Sequence, residues 1–285
     1  MPPHPRSVPR ASARAGFRRK KRSDYRIRSV ANALELLDTL AGESDEMGVS
    51  ALARRLGLHK NNVFRLLATL QTRGYVEQNP ETENYRLGLS TLALARGFLQ
   101  QTRLLRQARG VLEEIAHRAG ETAHVGVRRG DEVVYLDGVE PDRMLRVAAR
   151  PGLARPLHAS AEGKILAAFD PSGSGFDPDR WEGKTPAVDG SGDRVDPVRL
   201  VEEMKEIAAR GWAWERETCE SGIACVAAPV RDHTGRVAAA LSVAGPAARL
   251  DAPDMAEEFI HLAQDAAARL SARLGFRKPE PPADA

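Results

Sequence analysis

The sequence predicts an α+β chain of two domains, an N-terminal winged helix-turn-helix joined by a linker helix to a C-terminal antiparallel-sheet domain. Three observations predict it. The length of 285 residues exceeds the ~100 to 200 residues typical of one domain. Residues 29–88 show apolar side chains at helical spacing three times over, followed by two short strand-like runs around a turn. Beyond residue 110 the apolar pattern changes to alternating or continuous runs separated by turn residues, which is the pattern of sheet strands.

In chain order, residues 1–28 hold ten Lys or Arg against Asp24 alone, a net +9, so at a formal charge of +3 the rest of the chain is −6. Prolines and serines are interspersed with these charges and nothing there could form a core, so the segment reads as a disordered basic arm with affinity for a polyanion. Ser29 to Ala41 reads as a helix with the stripe Val30, Ala33, Leu34, Leu37 and Leu40, followed by a turn at Gly42 to Gly48. In the next helix Leu52, Ala53 and Leu56 share one face, Ser50 is the expected N-cap, and Gly57 permits the sharp turn. Val63, Leu66, Leu67 and Leu70 then lie at i, i+3, i+4 and i+7, which leaves Lys60, Asn61, Asn62 and Arg65 facing out. Those side chains hydrogen-bond base edges and phosphates, and they sit where a helix-turn-helix enters the major groove. Gly74 ends this helix, and Tyr75 to Gln78 with Asn84 to Leu87 form a wing around Asn79 to Glu83.

Ser90 to Arg109 is predicted as one linker helix, residues 89–110, with apolar residues on more than one side, suited to packing against a second copy. In the second domain, residues 111–274, a helix from Val111 to Arg118 precedes a hairpin of His124 to Val127 and Glu132 to Asp137. A strand is expected at Met144 to Ala148 and a short helix at Ala159 to Ala168, starting near Ser160. Asp170 to Asp196 is rich in Gly, Ser, Asp and Pro and reads as a mobile loop. A helix at Val198 to Arg210 is followed by strands at Trp212 to Glu215, Ile223 to Val230 and Val237 to Ala244. A last amphipathic helix, Ala252 to Leu274, leads to the Pro-rich tail 275–285.

With only Cys219 and Cys225, no disulfide framework is available. No run reaches the ~18 apolar residues of a membrane span, and the charged N-terminus lacks the apolar core of a signal peptide, so a cytoplasmic location is expected. Neither a metal site nor a cofactor is expected, because the spacing of the two cysteines is not that of metal ligands and no His cluster accompanies them.

Taken together, SVANALELLD from Ser29, ALARRLGLHKNNVFRLLATLQTRGYV from Ala51 and YRLG from Tyr85 resemble the IclR family of bacterial transcription regulators. So do PLHASAEGKILAA from Pro156, RGWAWERE, SGIACVAAPV and HTGRVAAALSVAGP ending at Pro246. The resemblance spans about nine tenths of the chain, with ordered motifs in both domains. It implies a GAF-like effector-binding domain, a homodimer or homotetramer, and a palindromic operator in double-stranded DNA. It also implies a regulator, more often a repressor, controlled by a small organic acid or related metabolite, and no enzyme.

By carry-over, the DNA-binding residues are Lys60, Asn61, Asn62 and Arg65 with Ser50 and Thr69, and the effector pocket is lined by Ser160, Ala161, Glu215, Ile223, Cys225 and Ser242. Where the family pattern has Pro, Lys and small hydroxyl residues, this chain has His59, Lys60, Asn61 and Asn62, so its operator is not inferable by analogy. Glu215 stands where Asp is usual. One alternative is a DNA-binding redox or metal sensor using Cys219 and Cys225. A remoter one is a thiol-dependent enzyme with His158 or His233 as base.

Overall fold

The computed structural model describes residues 27–43, 45–170, 197–252 and 255–277. Residues 1–26 of the basic arm, the Asp170 to Asp196 loop beyond its first residue, and most of the tail lie outside them. The chain divides into two compact units, with the boundary between Phe98 and Leu99.

In the first unit α1 (Arg28–Ala41), α2 (Val49–Leu56) and α3 (Lys60–Thr72) surround one core of Leu36, Leu40, Leu52, Val63, Leu67, Val76 and Tyr85. Gly57 takes the left-handed conformation at φ 64°, which lets the chain turn from α2 into α3 without a Cβ penalty. The end of α3 closes with Tyr75 N–H on Leu70 O at 3.0 Å and Gly74 N–H on Gln71 O at 2.9 Å, a left-handed stop at Gly74. Strands β1 (Val76–Gln78) and β2 (Tyr85–Leu87) pair antiparallel as the wing. Met47 exchanges two further backbone hydrogen bonds with Tyr85, tying the wing to the α1–α2 connection.

The first helix is phased differently from the expected stripe. Leu36 and Leu40 are the buried pair, while Val30 and Leu34 are exposed. The N-cap of α2 is Gly48 and not Ser50, which occupies the second helical position with its side chain exposed. The linker differs too. It is two helices, α4 (Ser90–Gln101) and α5 (Arg103–Ala119), with the break at Thr102 and no break at Gly110.

The second unit is a six-stranded antiparallel sheet in the order β5-β4-β3-β8-β7-β6. Its strands are β3 (Thr122–Arg129), β4 (Glu132–Val139), β5 (Ala154–Pro156), β6 (Ala213–Arg216), β7 (Ile223–Arg231) and β8 (Val237–Pro246). The central strands are buried on both faces, hence their continuous apolar runs. On β8, Ala239, Leu241 and Val243 pack with α5 and with α9 (Met255–Arg273), through Leu112, Ile115, Leu262 and Leu270. Ala240 and, on β7, Ala227 face the other layer, formed by α6 (Ala161–Ala168) and α7 (Pro197–Arg210). Pro229 is tolerated in β7 because β6 pairs only as far as Ala227, so no ladder partner is lost. A short helix α8 (Ala247–Leu250) follows β8.

The expected strand at Met144 to Ala148 is not formed. That segment is irregular, and Met144 and Leu145 are exposed. It is pinned instead by side chains, with Thr122 Oγ1 donating to Val147 O at 2.5 Å and Arg249 Nη2 to Leu145 O at 2.9 Å. Arg249 also clasps the buried Glu121, donating from Nε at 2.5 Å and from Nη2 at 2.8 Å. Position 245 must be glycine for this clasp, since a Cβ there would lie 2.4 Å from Glu121 Oε2.

Candidate functional sites

On the first unit, the outer face of α3 carries Lys60, Asn61, Asn62, Arg65 and Thr69, all exposed. His59 precedes the helix in extended conformation and provides no side-chain cap, so the first N–H groups of α3 stay open at its positive end beside Lys60. The side chains of Lys60, Asn61, Asn62 and Arg65 make no hydrogen bond or ion pair among the described residues, whereas Thr69 Oγ1 donates to Arg65 O at 2.8 Å. Ser50 is exposed in the first turn of α2. The arrangement offers a helix face rich in uncommitted donors, suited to base edges and phosphate oxygens.

Two features of this face were not picked out from the sequence. Phe64 lies on α3 between Asn61 and Arg65 and is 57% exposed, an apolar plate among the donors. The wing is acidic at its tip, with Glu77, Glu81 and Glu83. Its shape is held by Glu46, which accepts from Asn79 Nδ2 at 2.9 Å, Thr82 Oγ1 at 2.9 Å and Arg86 at 3.4 Å. Negative charge at the tip is unfavourable against phosphate.

On the second unit a cavity of about 480 Å³ opens between one sheet face, the start of α6, the irregular 145–150 segment and the β6–β7 connection. Ser160, Ala161, Glu215, Ile223 and Cys225 all line it. Ser242 does not. It is fully buried beneath the cavity, where its hydroxyl donates to Glu162 Oε1. The sheet brings these residues together by register, since His124 pairs with Ser242, Ala227 with Ser242 and Glu215 with Cys225.

Ser160 caps α6, its Oγ accepting from Gly163 N–H at 3.0 Å. Gly163 is required for this, as a Cβ would lie 2.3 Å from Leu157 O. One turn later Lys164 is buried between carboxylates, at 2.7 Å from Glu203 and paired closely with Glu215. Burial pushes the Glu215 carboxyl up to about 7, against the pull of the Lys164 ammonium. The two carboxylates hold Lys164 protonated, above its ordinary range, although burial opposes this.

Glu162 is 1% exposed, lines the cavity, and accepts from Tyr135 Oη at 3.3 Å as well as from Ser242. His124 is 6% exposed and burial pushes its pKa down, so the ring is neutral. Burial pushes the Cys219 thiol up to about 12 and the Cys225 thiol well above its ordinary value. Cys219 donates to Ala159 O and Cys225 approaches Glu162 Oε1 at 3.9 Å. Neither is a thiolate at neutral pH, and the thiolate is the form that binds metal or reacts, so the redox or metal sensor is not supported.

The sequence reading missed Glu162, Lys164, His124, Tyr135 and Arg155. A signal for the first two exists. In AEGKILAA a helix apolar nearly all round is a buried helix, and a charge on a buried helix needs a built partner.

The pattern described as the IclR helix-turn-helix domain matches residues 29–80, and that of the C-terminal domain of the bacterial transcriptional regulator IclR matches residues 96–272. The chain is 32% identical to the HTH-type transcriptional regulator XynR of Escherichia coli (strain K12), over 88% of this chain and 98% of that protein. It is 34% identical to the glycerol operon regulatory protein of Streptomyces griseus, over 87% of this chain and 97% of that protein. Among solved structures, an IclR transcriptional regulator from Alicyclobacillus acidocaldarius superposes with a TM-score of 0.75 at 26% identity, covering 88% of this chain and all of that one.

Proposed function

The chain belongs to the IclR family of bacterial DNA-binding transcription regulators, and from that membership we propose that it is a cytoplasmic homodimeric repressor, released from a palindromic operator by a small organic acid. The observation that carries the reading is the presence of two separate binding features in one chain. One is the α3 face of uncommitted donors, and the other is a metabolite-sized cavity in the second unit. In this reading Asn61, Asn62 and Arg65 read bases, while Lys60, Ser50 and Thr69 hold phosphates. Ser160, Ala161, Glu215, Ile223 and Cys225 line the effector site, with Ser242 behind Glu162. In this reading the cavity binds its ligand, and burial keeps both of its thiols protonated at neutral pH.

Self-association is supported by apolar surface in the first unit. Ile27, Val30 and Leu34 of α1 and Leu89, Leu92 and Leu94 around α4 are all more than half exposed, and large exposed apolar groups in such number mark an interaction surface. A dimer places two α3 faces about one helical turn of DNA apart, which is what a palindrome requires.

The test is anisotropy of labelled DNA from the chain's own upstream region. Asn62→Ala or Asn61→Ala should lose about 1 to 3 kcal/mol on the operator and far less on random DNA. Equal losses on both count against base readout. A metabolite that lowers operator affinity should cease to do so when Cys225→Trp fills the cavity. Leu34→Asp should shift the sedimentation coefficient toward that of a monomer, and an unchanged value removes the α1 surface from the interface.

A further inference from the structure

Two opposite charges face the cavity without an ion-pair partner among the described residues. Glu162 receives only neutral donors, the hydroxyls of Ser242 and Tyr135 and the more distant Cys225 thiol. The side chain of Arg155, half-buried in β5, makes no hydrogen bond or ion pair among the described residues. Glu162 and Arg155 line the same cavity, together with Tyr135 and Cys219. The His124 ring lines the same cavity, but its Nδ1 is closed off from it. Glu215 differs from these, being paired with Lys164.

A buried carboxylate offers about four acceptor sites, and leaving them unfilled away from solvent is costly. The deep wall therefore demands donors, while Arg155 demands an anion. The start of α6 is a poor place for that anion, because Glu162 itself stands in its first turn.

We infer that the cavity selects a small carboxylic acid bearing hydrogen-bond donors, hydroxyl or ammonium, at its other end. Its carboxylate pairs with Arg155, and its donors complete Glu162. This rests on the cavity being the effector site. Arg150, exposed at the rim, adds positive charge along the way in.

The experiment is calorimetry on the full-length protein with carboxylic acids in matched sets, each skeleton as the plain, the hydroxy and the amino acid. The expected result is that a hydroxy or amino member binds at least about tenfold more tightly than its plain parent, the scale of one good charge-assisted hydrogen bond. The member that wins identifies the donor as hydroxyl or ammonium. Arg155→Leu should weaken that member by about tenfold or more, and Glu162→Ala should bring it down to its parent's level. Thermal melting checks that each variant folds. If Glu162→Ala does not, Glu162→Gln keeps the shape and should lower the preference for the donor-bearing member.

Plain and substituted acids binding alike, a preference that persists without the Glu162 carboxylate, or no binding by any member at millimolar concentration each overturn the inference. Cys225→Trp separates the two levels. If it abolishes binding while plain and substituted acids had bound alike, the effector-site reading stands and the inference falls. If acids still bind to Cys225→Trp, the effector-site reading itself fails.

Discussion

At the scale of single residues, polar groups on the outside of an amphipathic helix are legible because periodicity alone assigns them to solvent. Lys60, Asn61, Asn62 and Arg65 are such groups, and all are exposed. Phe64 was not legible for the converse reason, since an aromatic residue in that pattern is read as core. Its exposure beside Asn61 suits it to a thymine methyl, the apolar mark of the major groove. Phe64→Ala should then cost about 1 kcal/mol of operator affinity. Replacing thymine by uracil in the operator should erase that cost, and an undiminished cost on the uracil operator excludes the methyl contact. In the cavity, Glu162, Arg155 and His124 escaped because they come from three different elements, and only the closed sheet makes them neighbours. Glu215 has a consequence for pH. Its carboxyl is raised from 4.5 to about 7, so between those values the folded chain holds a proton that the unfolded chain has lost. This contribution to stability is complete below about 4.5 and disappears as pH rises through 7. The gap corresponds to on the order of 3 kcal/mol. Glu215→Gln should therefore gain in melting temperature relative to the parent protein from pH 5 to pH 8, and a flat difference would show that Glu215 titrates normally.

At the scale of elements, the central strands and the helices flanking them follow from apolar runs and turn residues, and most of their boundaries fall within two residues of the expected ones. The discrepancies have physical causes. In α1 the sequence VANALELL offers two overlapping apolar stripes, and periodicity cannot say which one meets the core. Packing selects Leu36 and Leu40 and leaves Val30 and Leu34 outside. Leu36→Ala should therefore cost about 2 to 5 kcal/mol in chemical denaturation, whereas Leu34→Ala should stay within about 0.5 kcal/mol when measured on the monomer. Similar costs for both would restore the other phase. The segment 144–148 has the alternation of a strand, yet Thr122 and Arg249 already take its carbonyls of Val147 and Leu145, and it pairs with no strand. A tertiary contact of that kind leaves no trace in local pattern. Gly163 is an element-scale constraint of the same sort. Alanine is the better helix former by about 1 kcal/mol, but here its Cβ would strike the Leu157 carbonyl at 2.3 Å. Gly163→Ala should lower the melting temperature, with the displacement of α6 also weakening ligand binding. A rise in melting temperature would mean that α6 and the turn before it move apart freely.

At the scale of the whole molecule, charge is distributed in a way that makes a further prediction. The residues beyond 28 carry a net −6, and the arm before them carries +9. The α3 face adds Lys60 and Arg65 to this, but the wing beside it is acidic. Most of the positive charge available to phosphate therefore lies in the arm, and its effect must appear as counterion release. Each phosphate neutralised contributes about −0.9 to the slope of log K against log salt. Deleting residues 1–26 removes nine of the ten basic residues of the arm. The slope should then become shallower by several units, with similar losses of affinity on operator and random DNA, because a charge contact to phosphate carries no sequence information. Discrimination between the two DNAs should survive, since the α3 donors are untouched. An unchanged slope would show that the arm does not reach DNA. A slope that flattens together with a loss of discrimination would place base readout in the arm and not on α3.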